Sequence, residues 1–158
     1  MTVLLFPGAG SDASHPSLVA TEEVLAPHRV VRADFPYRKQ GRKAPDRAPV
    51  LLQAVRDAIA ELPADEPLVL GGRSMGGRMC SMIAAGADGS PRPPRLRGLV
   101  LVAYPLHPPG KPDSLRVDHL PAVDVPTLFI SGTKDAFGSP DELLRWTATM
   151  PPKAKVTH

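Results

Sequence analysis

Short apolar runs that do not alternate with polar residues recur along this chain, and they constrain the fold more than any other feature. They are Val3 to Phe6, "RVVRADF" (Arg29 to Phe35), "PLVL" (Pro67 to Leu70), "RGLVLVAY" (Arg97 to Tyr104) and "VPTLFIS" (Val125 to Ser131). A strand that is apolar throughout suits a parallel sheet covered on both faces. Between the runs lie segments with helical spacing. The clearest is "APVLLQAVRDAIAEL" (Ala48 to Leu62), with Val50, Leu51, Ala54, Val55, Ala58, Ile59 and Leu62 on one stripe and Pro49 suited to a first turn. Leu18 to Leu25, Met75 to Ala87 and Pro140 to Met150 are further helices. Ser139 is the expected N-cap of the last, with Asp141 and Glu142 in its first turn. A final strand is expected near Lys155. Strands alternating with helices imply an α/β, three-layer sandwich: a mainly parallel sheet of about six strands with helices on both faces.

The length, 158 residues, fits a single domain over residues 1–158. At about this size a domain buries close to 70% of its unfolded surface. The formal charge of +3 comes largely from "YRKQGRKAPDR" and "PRPPRLR", both read as loops. With no interleaved aromatics and no nucleic-acid motif, these charges read as solvated surface rather than a nucleic-acid partner. The lone cysteine, Cys80, excludes an intramolecular disulfide and suits a reducing cytoplasm. The first ten residues carry no cationic segment, and their apolar run is too short for a signal or a membrane span. A cytoplasmic chain is expected, with no membrane partner, cofactor or metal. Its oligomeric state is left open.

"LVLGGRSMGG" carries the chemistry. Gly72-Arg73-Ser74-Met75-Gly76 matches G-x-S-x-G, directly after an apolar strand and directly before a helix. A serine hydroxyl is a poor nucleophile near neutral pH and has to be held out of the backbone's way beside a base. A sharp strand-to-helix turn does this. The helix that follows also aims its unpaired N–H groups at any oxyanion formed there, Met75 first. A second set of donors is expected from the loop "FPGAGSD", the backbone N–H groups of Ala9 and Gly10. The lysine of a phosphate-binding P-loop is missing. Arg73, beside the serine, hints at an anionic group in the pocket.

In folds with this turn, an acid and then a histidine follow the serine in the chain. Asp135, in "SGTKDAFG" after a buried strand, is placed to orient an imidazole. The base is harder to find. Only His158, the last residue, lies beyond Asp135, at a point where a strand should still be running. His107 follows the strand next to the serine-bearing one, but it precedes Asp135, so it reads as a pocket residue before a base.

The strings "DFPY", "DRAPVLL", "YPLHPPGKPDSLRVDHL" and "SGTKDAFG", together with the serine turn, resemble the small dienelactone-hydrolase-like α/β-hydrolases. These are related to a testis-expressed mammalian protein and to a histone-acetyltransferase complex subunit. The resemblance runs from about Val3 to His158. It implies an α/β-hydrolase fold and a Ser-Asp-His core, with Ser74 and Asp135 on matching positions. Members read H-G-A-G where this chain has Pro7-Gly8-Ala9-Gly10, a change that keeps the backbone donors. The family's terminal pattern matches its first histidine to His158 and places the catalytic one several residues further on. The resemblance therefore implies a copy shortened at its C-terminus, without the loop that carries the base. In serine proteases, loss of the triad histidine costs on the order of 10⁶ in kcat. The expected function is a serine hydrolase of a small ester, thioester or lactone, inactive or nearly so as this chain. The alternative is a non-catalytic interaction module on the same scaffold.

Overall fold

The structure, a computed structural model, describes residues 1–151 and 154–157. Six strands form one sheet: β1 (Thr2–Phe6), β2 (Arg29–Arg32), β3 (Leu68–Arg73), β4 (Leu96–Val102), β5 (Thr127–Ile130) and β6 (Ala154–Thr157). All are parallel, in the order β2-β1-β3-β4-β5-β6. The helices are α1 (Pro16–Leu25), α2 (Pro36–Lys39), α3 (Ala48–Ala60), α4 (Met75–Ala84) and α5 (Pro140–Thr147), with a 3₁₀ turn at Leu120–Ala122.

The two faces of β1 show why its run is apolar throughout. Leu4 and Phe6 point to one side, into a core with Leu51, Leu52, Val55 and Ile59 of α3 and Met79 and Ile83 of α4. Val3 and Leu5 point to the other, against Leu18 of α1. Each fully buried side chain of this kind contributes about 1.5–3 kcal/mol. The stripe on α3 is shifted from the one expected: Val50 is 47% exposed, and Leu52 is buried. The stripe centres on the 51/55/59 row, and Val50 in the first turn lies off that line.

Boundaries also moved. β2 stops at Arg32, because the chain from Pro36 turns into α2, where a loop was expected. β3 runs on through Gly71 and Gly72 to Arg73, past the expected end at Leu70. Gly71 is needed there, since a Cβ would lie 2.3 Å from the Val100 carbonyl oxygen.

The chain leaves β1 to form β2 on one side, then returns to form β3 on the other. The carboxyl ends of β1 and β3 therefore flank a topological switch point, where ligands bind in open parallel sheets. Here α4 comes close to the end of β1. A Cβ on Gly76 would lie 2.4 Å from the Phe6 carbonyl oxygen and 2.5 Å from that of Pro7. Further along, α3 is tied to the loop after α4. Arg56 donates from Nε to Asp88 Oδ2 (2.6 Å) and from Nη2 to Oδ1 (2.9 Å).

Two outcomes are expected. Gly76→Ala forces backbone apart and lowers unfolding free energy by about 2–3 kcal/mol in urea titrations. Gly132→Ala, where a Cβ meets nothing within 4 Å, stays within about 0.5 kcal/mol of the parent. Equal midpoints for the two variants would refute the packing argument. The hydrogen bonds from Arg56 hold the Asp88 carboxyl below its ordinary value of 3.8. Its stabilisation is thus present above that value and lost as pH falls below it. Asp88→Asn is expected to cost about 1.5–3 kcal/mol at pH 7. The gap to the parent should close as the pH is taken below 3.8, and a gap that stays constant on acidification would contradict the assignment.

Candidate active site

β3 delivers the chain to Ser74 in an uncommon conformation, φ 49° and ψ −117°. A non-glycine residue there costs on the order of 1–3 kcal/mol, and the surroundings have to enforce it. Three contacts do so. The Ser74 N–H donates to the Val102 carbonyl (2.8 Å), and its own carbonyl accepts from Arg78 N–H (3.0 Å). Gly72, at φ 155°, passes so near β1 that a Cβ would lie 2.2 Å from the Phe6 carbonyl oxygen. Ser74 occupies the N-cap position of α4, yet its side chain makes no capping hydrogen bond. It lines a cavity of about 500 Å³ instead.

Met75 is the first residue of α4, so its N–H has no acceptor within the helix, and it lines the same cavity. Ala9 faces it from across the switch point, on a turn closed by a hydrogen bond from Ser11 N–H to the Gly8 carbonyl (3.1 Å). Gly10 differs from expectation. It has φ 70°, is not among the residues lining the cavity, and its N–H donates to the hydroxyl of Tyr37, 3.3 Å away. Tyr37 is fully buried, and burial pushes its phenol above the ordinary value. The Gly10 donor is thus spent on anchoring the loop.

Asp135 follows β5 and lines the cavity together with Phe137, whose N–H donates to Asp135 Oδ1 (2.9 Å). The turn after β4 contributes Ala103, at φ 50° the second non-glycine residue with positive φ. The cavity therefore gathers Ser74, Asp135, Met75, Ala9 and Arg73 from three separate connections at the carboxyl edge of the sheet.

His107 does not join them. It is buried, with Nδ1 2.9 Å from the Pro108 carbonyl oxygen and Nε2 3.2 Å from Glu142 Oε1. Those contacts hold it against the start of α5. His119 is packed behind α4, with Nε2 2.8 Å from Ser81 Oγ and 3.4 Å from Tyr104 Oη. Burial, then the charge of Arg78, push its imidazole down to about 4, so it is neutral at pH 7. His15 accepts the Ser17 N–H and caps α1. His158 lies outside the described residues. No histidine lines the cavity among the described residues.

Further lining residues went unnoticed in the sequence: Asp46, Arg78 and Arg116, with Leu51, Met79 and Pro105 as apolar wall. One signal was available for Arg78. It lies four residues after Ser74 on the same helix, and side chains so spaced share a face. Arg116 and Asp46 belong to irregular connections, where spacing carries no such information. No three His, Cys, Asp or Glu side chains converge as a metal site among the described residues. Nor is any helix among them long and apolar enough to cross a membrane.

Known structures share this architecture. Alpha/beta hydrolase domain-containing protein 10 from mouse superposes with a TM-score of 0.71 at 16% identity, covering 98% of this chain and 78% of its own. The monoacylglycerol lipase of Paleococcus ferrophilus gives 0.74 at 16% identity, over 99% and 82%. A thermophilic esterase from Thermogutta terrifontis gives 0.70 at 19% identity, over 99% and 79%. At such identities the likeness establishes the fold. The family model for the alpha/beta hydrolase domain matches residues 1–158. With its sheet order, its serine turn and that match over the full length, the chain belongs to the alpha/beta hydrolase domain family.

Proposed function

We propose that this protein is a serine hydrolase acting on a small ester, thioester or lactone through an acyl-enzyme. The conformation of Ser74 carries the reading: a strained, uncapped serine at a helix N-terminus, facing a cavity it shares with Asp135. Strain of that size is retained where a side chain has to be presented. The cavity, about 500 Å³, falls in the usual range for small-molecule sites.

In this reading Ser74 Oγ attacks the substrate carbonyl carbon and passes its proton to an imidazole, while Met75 and Ala9 N–H groups hold the oxyanion. The proton then goes to the departing alcohol or thiol, and water hydrolyses the acyl group from Ser74. Asp135 orients the imidazole and stabilises its cation. We assign the imidazole to the chain that leaves β6, at His158 or beyond it. β6 is parallel to β5, so its C-terminal end lies on the edge of the sheet that carries Ser74 and Asp135. The strings shared with dienelactone-hydrolase-like enzymes support the same core, and the esterase and lipase neighbours support the substrate class. Wherever no imidazole reaches Ser74, turnover is expected to fall by a factor on the order of 10⁶.

A fluorophosphonate probe tests the nucleophile directly. Slow labelling at Ser74, identified by peptide mass spectrometry, is expected, together with several-fold acceleration by added imidazole and none in Ser74→Ala. A chain left unlabelled at Ser74 under both conditions would sink the proposal and favour a non-catalytic module. The strain makes a separate prediction. Ser74→Gly removes the Cβ that makes the turn costly, so unfolding free energy should rise by about 1 kcal/mol while labelling disappears. A loss of stability would show that the turn is not strained.

A further inference from the structure

We infer that the cavity beside Ser74 is built for an anion, so that the substrate carries a carboxylate or phosphate a few bonds from the carbonyl that reacts. This rests on the hydrolase reading for the carbonyl, but not for the anion. Three arginines line the cavity, Arg73, Arg78 and Arg116, and among the described residues none is in an ion pair. Its two acids do not balance them. Asp46 is bound to Arg42 at 2.9 Å, which leaves Asp135 against three guanidinium groups.

Arg78 is the centre of this site. Its Nε is sealed from solvent and has no hydrogen-bond partner among the described residues. That N–H loses hydration without compensation, at a cost that a bound oxyanion within its reach removes. Burial, with Arg116 close by, also pushes the group below its ordinary value. Arg78 lies one turn into the helix that Ser74 caps, and both line the same cavity. A substrate with its carbonyl at Ser74 therefore presents an anionic group a few bonds away to the same wall. Arg73 lies across the mouth, its Nη1 so near Gly8 that a Cβ there would meet it at 3.2 Å. Arg116 enters from the connection between β4 and β5, its backbone carbonyl held by the Tyr104 hydroxyl (2.9 Å). Together they form a fork-rich wall suited to planar carboxylate or to phosphate.

The Ser74→Ala chain tests this without any chemistry, since it keeps all three arginines and has no nucleophile. Chemical-shift titrations would compare monomethyl succinate with methyl butyrate, its neutral counterpart, at low salt. Binding at least tenfold tighter for the anion is expected. Arg78→Gln or Arg116→Gln should weaken it about tenfold, as should 0.5 M sodium chloride, with methyl butyrate unaffected. Inorganic phosphate that displaces the half-ester more strongly than acetate would identify a phosphate-bearing substrate; the reverse would identify a carboxylate. Equal binding of the two esters, or anion binding that survives both arginine variants, would overturn the inference. Failure of Ser74 to label would count against the hydrolase reading alone.

Discussion

Backbone contact between the start of α4 and the end of β1 is the constraint on which the rest of the site depends. No side chain mediates it. The helix reaches this position because Gly72 and Gly76 present hydrogen where any other residue would place a methyl group inside a carbonyl's radius. Once the helix is seated, three things follow together. Ser74 has to bridge strand and helix at positive φ, the helix N-terminus points at the crevice, and the first loop is pinned opposite it. A single packing decision sets the serine's exposure, the direction of the helix dipole and the spacing of the candidate oxyanion donors.

The wall around this backbone is made differently. It draws on connections far apart in the chain, from Asp46 before α3 to Asp135 after β5, and its side chains are long and charged. Burial sorts the ionisable groups into those that face the cavity and those that serve the packing. His119 and Tyr104 form a buried polar cluster behind α4. There the imidazole is pushed down to about 4 and the phenol up to about 12, so both stay neutral. Cys80 is likewise sealed, its thiol pushed far above the ordinary range by complete burial. The arginines that line the cavity define the field in which any ligand sits.

Much of this architecture was legible in the sequence, and the exceptions have physical reasons. The strands announced themselves because a strand buried on both faces cannot alternate, and β1 shows the pattern in five consecutive buried residues. Boundaries failed where pairing overrode local preference, as at Gly71 and Gly72, which read as a turn but extend β3 alongside β4. Ser74 and Asp135 could be singled out because strand–turn–helix context is local. Gly10 could not be resolved, since the fate of its N–H depends on Tyr37, twenty-seven residues on, in a helix that read as a loop. His107 was drawn to the cavity by topology and held away from it by Glu142, a partner visible only in three dimensions.

The division between a glycine-built elbow and an arginine-built wall has an evolutionary consequence. Replacing Gly72 or Gly76 collides with main chain, and no neighbouring side chain can yield to make room. The elbow is therefore inherited whole or lost. The arginines line the cavity with their side chains, and exchanging one leaves the main-chain contacts of the elbow in place. Descendants of this chain can thus drift between ligands by single-codon changes at Arg73, Arg78 or Arg116, while the geometry that presents Ser74 stays fixed. Divergence in ligand preference should run ahead of divergence in backbone.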